Sequence, residues 1–381
     1  MNSIINIGVS FMKAILKISA ALFLYFTFTM NATAVEKLDP HTTSVEAIAA
    51  YAKANGATVR EQLLIVQRWI SENIVYDIER YNQHKSLSRK ALAKGEFSKA
   101  TVRETLVRRK GVCEDFALLF ATIAREMGIE MFIVTGISEN GGGHAWCAAV
   151  IDNEPYLFDP TWASGSLNIS TNEYSKKLNM EYFMTSPDSI QHIPSDPLWQ
   201  FSEHPLKYEQ AEKGERANET DNPYFNWRDT LSAYVEMDTI QKAESAFRRG
   251  IHNGKPNKEI GEELTCKALF AAGERLLSIQ DKMRQITQDI ESGKGRWDKE
   301  SDTEQKLQAL EAQLTLCEKN LNSTKAIDRI HNKDTNELLG YIADFKKTIT
   351  RYRKELEKQK REDNKRSAKH QEEMQLFNFS K

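Results

Sequence analysis

The stretch 109–117, Arg109-Lys110-Gly111-Val112-Cys113-Glu114-Asp115-Phe116-Ala117, decides how this chain is read, because it places a cysteine where a helix begins. Downstream, Phe116, Phe120, Ile123 and Met127 recur at intervals of four, three and four, which puts them on one helix face. Gly128 follows where a C-terminal cap would stand. A helix N-terminus offers partial positive charge and free N–H groups, a setting that favours a thiolate nucleophile. The same groups can hold a developing oxyanion, so the backbone amide of Cys113 is a natural first donor. No second donor is identifiable. Taken alone, the segment fits a buried structural cysteine equally well.

Two more residues change that balance. Residues 131–137 are rich in β-branched side chains, Gly141-Gly142-Gly143 marks a turn, and 144–151 and 156–159 read as two further strands. A helix followed by consecutive antiparallel strands implies an α+β domain. His144 starts one strand and Asp159 ends the next. A hairpin loop at Asn153-Glu154, or one over 152–155, sets Asp159 opposite Ala148, with His144 farther along the same face. The parity groups His144, Trp146, Ala148 and Val150 on one face and Ala145, Cys147, Ala149 and Ile151 on the other. Cys147 is therefore expected to point away from the site as a packed thiol.

A thiol nucleophile needs a base, and an imidazole base needs a carboxylate or amide to fix its tautomer. Cys113 is thus read as nucleophile, His144 as base and Asp159 as the group that orients it. Singly, His144 suits a core or surface histidine and Asp159 a turn. Together, in helix–strand–strand order, they form a set.

Gly111-Val112-Cys113-Glu114-Asp115-Phe116-Ala117, Gly143-His144-Ala145-Trp146 and Phe158-Asp159-Pro160-Thr161-Trp162 resemble the three motifs of the transglutaminase-like superfamily. The nearest branch contains the kyphoscoliosis peptidase and the cytokinesis-associated transglutaminase-like proteins. Trp69-Ile70 with 73–77, and Tyr182-Phe183-Met184-Thr185, His192-Ile193-Pro194 and Trp199-Gln200, resemble its flanking segments. The resemblance implies a papain-like core, a Cys-bearing helix on an antiparallel sheet, and catalysis through a thioester. Cys147 and Phe116 depart from the residues common in the family, without removing a catalytic group. Trp69 is expected in the core, Trp162 to pack beside Asp159, and His192 to be structural rather than part of the site.

The chain has 381 residues, of which 40% are hydrophobic, enough for more than one folded unit. Its formal charge of −2 gives no reason to expect a nucleic-acid partner. Lys13 and Lys17 precede an apolar run over 18–30, and Ala32-Thr33-Ala34 supplies a small-x-small cleavage pattern. Residues 1–34 are therefore expected to be a signal peptide, and the protein to be periplasmic or secreted. The run is short of the roughly 20 apolar residues a span needs, so no stable membrane anchor is expected.

The expected catalytic domain covers 35–208, with helices over 43–55 and 58–74 separated by Gly56, and a polar loop with a short helix over 81–101. A charged stretch over 209–222 reads as a linker. Over 223–381 an all-α bundle or coiled coil is expected, since three apolar seams, starting at Leu276, Leu307 and Leu338, alternate by three and four. Breaks at 292–303 and 322–335 favour a folded-back bundle over one rod. The last residues, 361–375, lose the seam and read as a solvated helix end.

Cys113, Cys147, Cys266 and Cys317 are too few for a disulfide scaffold. Cys266 and Cys317 can pair, although Cys317 occupies a seam position. No Cys or His spacing suits zinc and no phosphate loop is present, so neither metal nor cofactor is expected. The leading expectation is an exported thiol enzyme acting on protein or peptide amide bonds as peptidase, deamidase or transglutaminase. The alternative is a non-catalytic peptide-binding scaffold that uses the helical region to meet a partner.

Overall fold

A computed structural model of the protein describes residues 38–86, 100–168, 171, 173–215, 221–291 and 302–379. The expected signal peptide lies outside the described residues, as does most of the expected loop over 81–101. Among the described residues, no helix is long and apolar enough to cross a membrane.

The first two helices, α1 (Val45–Asn55) and α2 (Val59–Asn73), run where the periodicity puts them. Thr58 starts α2 with a capping box: its hydroxyl accepts from the Glu61 N–H while Glu61 accepts from the Thr58 N–H. Strand β1 (Val75–Tyr76) and helix α3 (Ile78–Ser86) lead on to α4 (Val102–Arg108) and β2 (Lys110–Gly111), which pairs in parallel with β1. Helix α5 (Cys113–Glu126) follows at once, and its apolar face, Phe116, Phe120 and Ile123, is fully buried with Ile48 of α1 and Leu63 and Ile70 of α2.

Strands β3 (Phe132–Ile137), β4 (Gly143–Ile151) and β5 (Glu154–Phe158) form an antiparallel meander. The short β8 (Ile193–Pro194) adds to its far edge, giving the order β5-β4-β3-β8. Between β5 and β8 a separate hairpin, β6 (Gly165–Asn168) with β7 (Glu173–Lys176), stands apart from this sheet. Ala145, Cys147 and Ala149 face the α5 core, while Val134, Trp146 and Ala148 pack with Leu198, Trp199 and Trp227 on the opposite side. The alternation is the one the parity requires. The core is α+β, with the Cys-bearing helix on an antiparallel sheet.

The hairpin register differs from expectation by one turn position. Asp152 and Asn153, at φ 53° and 67°, make the two-residue turn, so Ile151 pairs with Glu154 and Ala148 with Leu157. Such a turn needs positive φ at both central residues, which Asp and Asn tolerate better than Glu154 would. Asp159 therefore lies just past the Cys147–Phe158 pair, level with Trp146 rather than Ala148. The shift brings it closer to His144 and keeps it on the same face.

The expected linker over 209–222 begins as ordered structure. Helix α6 (Tyr208–Glu212) buries Tyr208, whose hydroxyl donates to the Ser195 carbonyl at 2.6 Å. Residues 216–220 lie outside the described residues. Helices α7 (Trp227–Val235) and α8 (Thr239–Ile251) precede three long ones, α9 (Lys258–Glu291), α10 (Asp302–Ile327) and α11 (Asn332–Phe379). The three seams meet in one apolar core, Leu276 and Ile279 of α9 with Leu310 and Leu314 of α10 and Ile342 and Ile349 of α11. The second break is only 328–331, because polar residues at both flanks continue the helices. Helix α9 also touches β3: Glu263 accepts from Ser195 Oγ at 2.5 Å and from Thr135 Oγ1, and pairs with Lys267.

Candidate active site

Val112 has no side chain that can cap α5, so Asp115 does the work from the third helical position, accepting the Val112 N–H at 2.8 Å. Arg80 of α3 ion-pairs with the same Asp115 oxygen. Burial pushes the Asp115 carboxyl up from its ordinary value, against the Val112 hydrogen bond and the Arg80 charge. Gly111 is needed here, since a Cβ at that position would lie 2.7 Å from Cβ of Asp115. Cys113 thus sits half-buried at a helix start held by two neighbouring elements.

His144 Nε2 lies 2.7 Å from Asp159 Oδ2, and the Cys113 thiol lies near enough to the same ring to favour its charged form. With Nε2 committed to Asp159, Nδ1 is the nitrogen left for the thiol. Burial disfavours a charged imidazole, but the Asp159 carboxylate outweighs it and pushes His144 up to about 10. Burial likewise opposes the Asp159 charge, and His144 overcomes it, holding the carboxyl well below its usual range.

Asp159 is fully buried and fully satisfied. Its Oδ1 accepts the backbone N–H groups of Thr161 and Trp162, both at 3.0 Å. Its Oδ2 accepts from two imidazoles, because His192 Nε2 stands 3.1 Å away. His192 Nδ1 accepts the Glu139 N–H at 3.4 Å, which fixes the ring as the neutral tautomer that donates from Nε2. Burial pulls the His192 pKa down, consistent with that form. The expectation that His192 stands outside the site is therefore corrected: it shares the orienting carboxylate. It arrives there because β8 pairs with β3 across Gly136, where a Cβ would lie 2.1 Å from the Ile193 carbonyl oxygen.

Rings close the site. Trp162 lies 5.3 Å from His144 and 4.9 Å from His192, and Trp146 lies 4.9 Å from His192. Trp162 thus walls the imidazoles as well as packing. Cys147 is buried on the far face, its thiol donating to the Ala117 carbonyl at 3.3 Å, as the parity requires. Beside Cys113, Tyr76 borders an open cleft of about 610 Å³ with Asp77, Glu79, Lys110 and Tyr174. Burial and then the Cys113 charge keep the Tyr76 phenol protonated.

His144, Asp159 and His192 bring three ligand-type atoms within 4.8 Å of one another, a set no sequence spacing suggests. Both rings hydrogen-bond one carboxylate oxygen. A cation there would have to replace those bonds.

A profile of the transglutaminase-like domain matches residues 44–186, a span that contains Cys113, His144 and Asp159. That part of the chain is similar to the transglutaminase-like domain. Kyphoscoliosis peptidases of Mus musculus and Homo sapiens are each 27% identical to it over 48% of this chain. The chain spans 27% of the length of each of those relatives. A Pyrococcus furiosus protein is 28% identical over 50% of this chain and 49% of its own. Among solved structures, a proposed cysteine protease from Cytophaga hutchinsonii is 24% identical over 31% of this chain and 36% of its own, with a TM-score of 0.24. A structure described as a TGase is 17% identical over 44% of this chain and 43% of its own, with a TM-score of 0.27.

Proposed function

We propose that this transglutaminase-like protein is an exported thiol enzyme that cleaves or transfers protein amide bonds through a thioester. The observation that carries the reading is the 2.7 Å pairing of His144 with the buried Asp159, with Cys113 at a helix start acting on the same ring. The Cys113 proton rests on His144 as the sulfur attacks the amide carbon, and Asp159 holds that imidazolium. The oxyanion meets the free N–H groups at the α5 N-terminus, with the Cys113 amide as first donor. His144 then protonates the leaving amine, and water or an acceptor amine resolves the thioester.

Water gives hydrolysis of a peptide bond or deamidation of glutamine; a lysine amine gives a crosslink. The family relationship supports a cysteine-dependent chemistry common to all three. The seams of the C-terminal helices are used in their own packing, so a partner would meet their polar outer faces.

The test is a proteomic comparison of wild-type cells with cells carrying Cys113→Ala, scored for new termini, deamidated glutamines and crosslinks. Products that vanish in the variant are expected. Identical product sets would leave only a peptide-binding role for the fold.

A further inference from the structure

Away from Cys113, the helical region builds a second thiol–imidazole–carboxylate chain. Cys266, exposed on α9, has its sulfur 3.9 Å from Nε2 of His331. His331 Nδ1 hydrogen-bonds Asp328, and both of these side chains are buried. The turn between α10 and α11 fixes Asp328: its N–H donates to the Thr324 carbonyl at 2.9 Å, and its Oδ1 accepts the Ile330 N–H at 2.7 Å. Because Nδ1 is committed to Asp328, Nε2 is the nitrogen turned to the thiol. The contact with Cys266, and then Asp328, favour a protonated His331 over the effect of burial, pushing it up to about 9.

We propose that Cys266, with His331 as its proton acceptor and Asp328 as orienting group, is a reactive surface thiol that forms mixed disulfides with small disulfide compounds. The Cys266 proton rests on His331 Nε2 as the sulfur attacks one sulfur of the reagent. The reagent's S–S bond breaks, a new S–S bond joins Cys266 to one half, and the other half leaves as a thiolate that recovers the proton from His331.

Three features separate this site from its alternatives. Cys266 lies inside α9, where backbone N–H groups are taken up by the helix, so no free amides await an oxyanion as they do at Cys113. Cys266 and Asp328 meet opposite edges of one imidazole, so the three cannot surround a metal ion. The pairing of Cys266 with Cys317 is replaced by the contact with His331, since Cys317 is 1% exposed within the seam core.

The full chain is treated with oxidised glutathione at neutral pH, and the mixed disulfide at Cys266 is followed by peptide mass mapping. Native Cys266 is expected to react at least about threefold faster than the same residue in the urea-unfolded chain. His331→Ala should remove that gain, Asp328→Asn should reduce it, and Cys113→Ala should leave it unchanged. A native rate no faster than the unfolded one overturns the proposal, as does an unchanged rate in a folded His331→Ala. If neither variant folds, by circular dichroism, the wild-type native-to-unfolded ratio decides alone.

Discussion

His192 donates to the same Asp159 oxygen that holds His144, at 3.1 Å against 2.7 Å. One buried carboxylate therefore orients two imidazoles, of which one is favoured in its charged form by that carboxylate while the other is anchored to the Glu139 backbone as a neutral ring. This makes His192 a positioning residue. Its replacement by Ala should lower kcat roughly 10–100-fold with little change in KM, the usual loss when a supporting hydrogen bond to a working side chain is removed. His192→Gln, which can still donate, should recover part of that loss; equal losses in the two variants would mean packing alone.

Stability should depend on pH from both sides of neutrality. His144 is raised above its unfolded value of 6.5 to about 10, so its contribution is complete below about 6.5 and fades as pH rises toward 10. Asp159 is lowered, so its contribution is complete above the ordinary carboxylate range and fades as pH falls. Urea unfolding midpoints across this range should show a plateau with a loss at each end. In His144→Ala the alkaline loss should shrink, leaving the part that His331, raised to about 9, contributes.

Glu263 of the helical region accepts from Thr135 on β3 and Ser195 just after β8, two residues that flank the approach of His192. Glu263→Ala leaves Lys267 and both hydroxyls without this partner, and should cost on the order of 1–3 kcal/mol of stability. Thermal unfolding measures that, and alkylation of Cys113 should slow as well. Unfolding at a lower temperature with unchanged alkylation would separate the clamp from the site.

The cluster of His144, Asp159 and His192 should make the reactivity of Cys113 sensitive to zinc. Ring nitrogens and a carboxylate oxygen are ligands of the kind zinc prefers, and binding would remove the base from its proton. Micromolar Zn²⁺ should block Cys113 alkylation, a chelator should restore it, and His192→Ala should weaken the block.

The placing of Cys113 at a helix start, of His144 and Asp159 on one strand face, and of the other sheet residues was legible in the sequence because short-range rules govern them. Helix periodicity placed Cys113 at an N-terminus, and strand parity sent His144 and Cys147 to opposite faces. The turn at Asp152-Asn153 was misplaced by one residue because two loops shared the same parity, and only the positive φ of both residues distinguishes the one adopted. His192 was missed for a different reason. Its place depends on β8 pairing with β3 across Gly136, a contact between distant segments that leaves no periodic trace in two residues of strand. The Asp115–Arg80 support for Cys113 is of the same long-range kind. The three seams, by contrast, joined one core because each is long enough to carry its own heptad signal.

The measurement that bears most directly on the triad is the rate at which a small thiol-directed electrophile labels Cys113, mapped by residue so that Cys266 is scored separately. The account predicts labelling faster than that of a free thiol at neutral pH, abolished in Cys113→Ser and slowed at least tenfold or so in His144→Ala. Labelling of Cys113 at the rate of a free thiol, unchanged by His144→Ala, would contradict it.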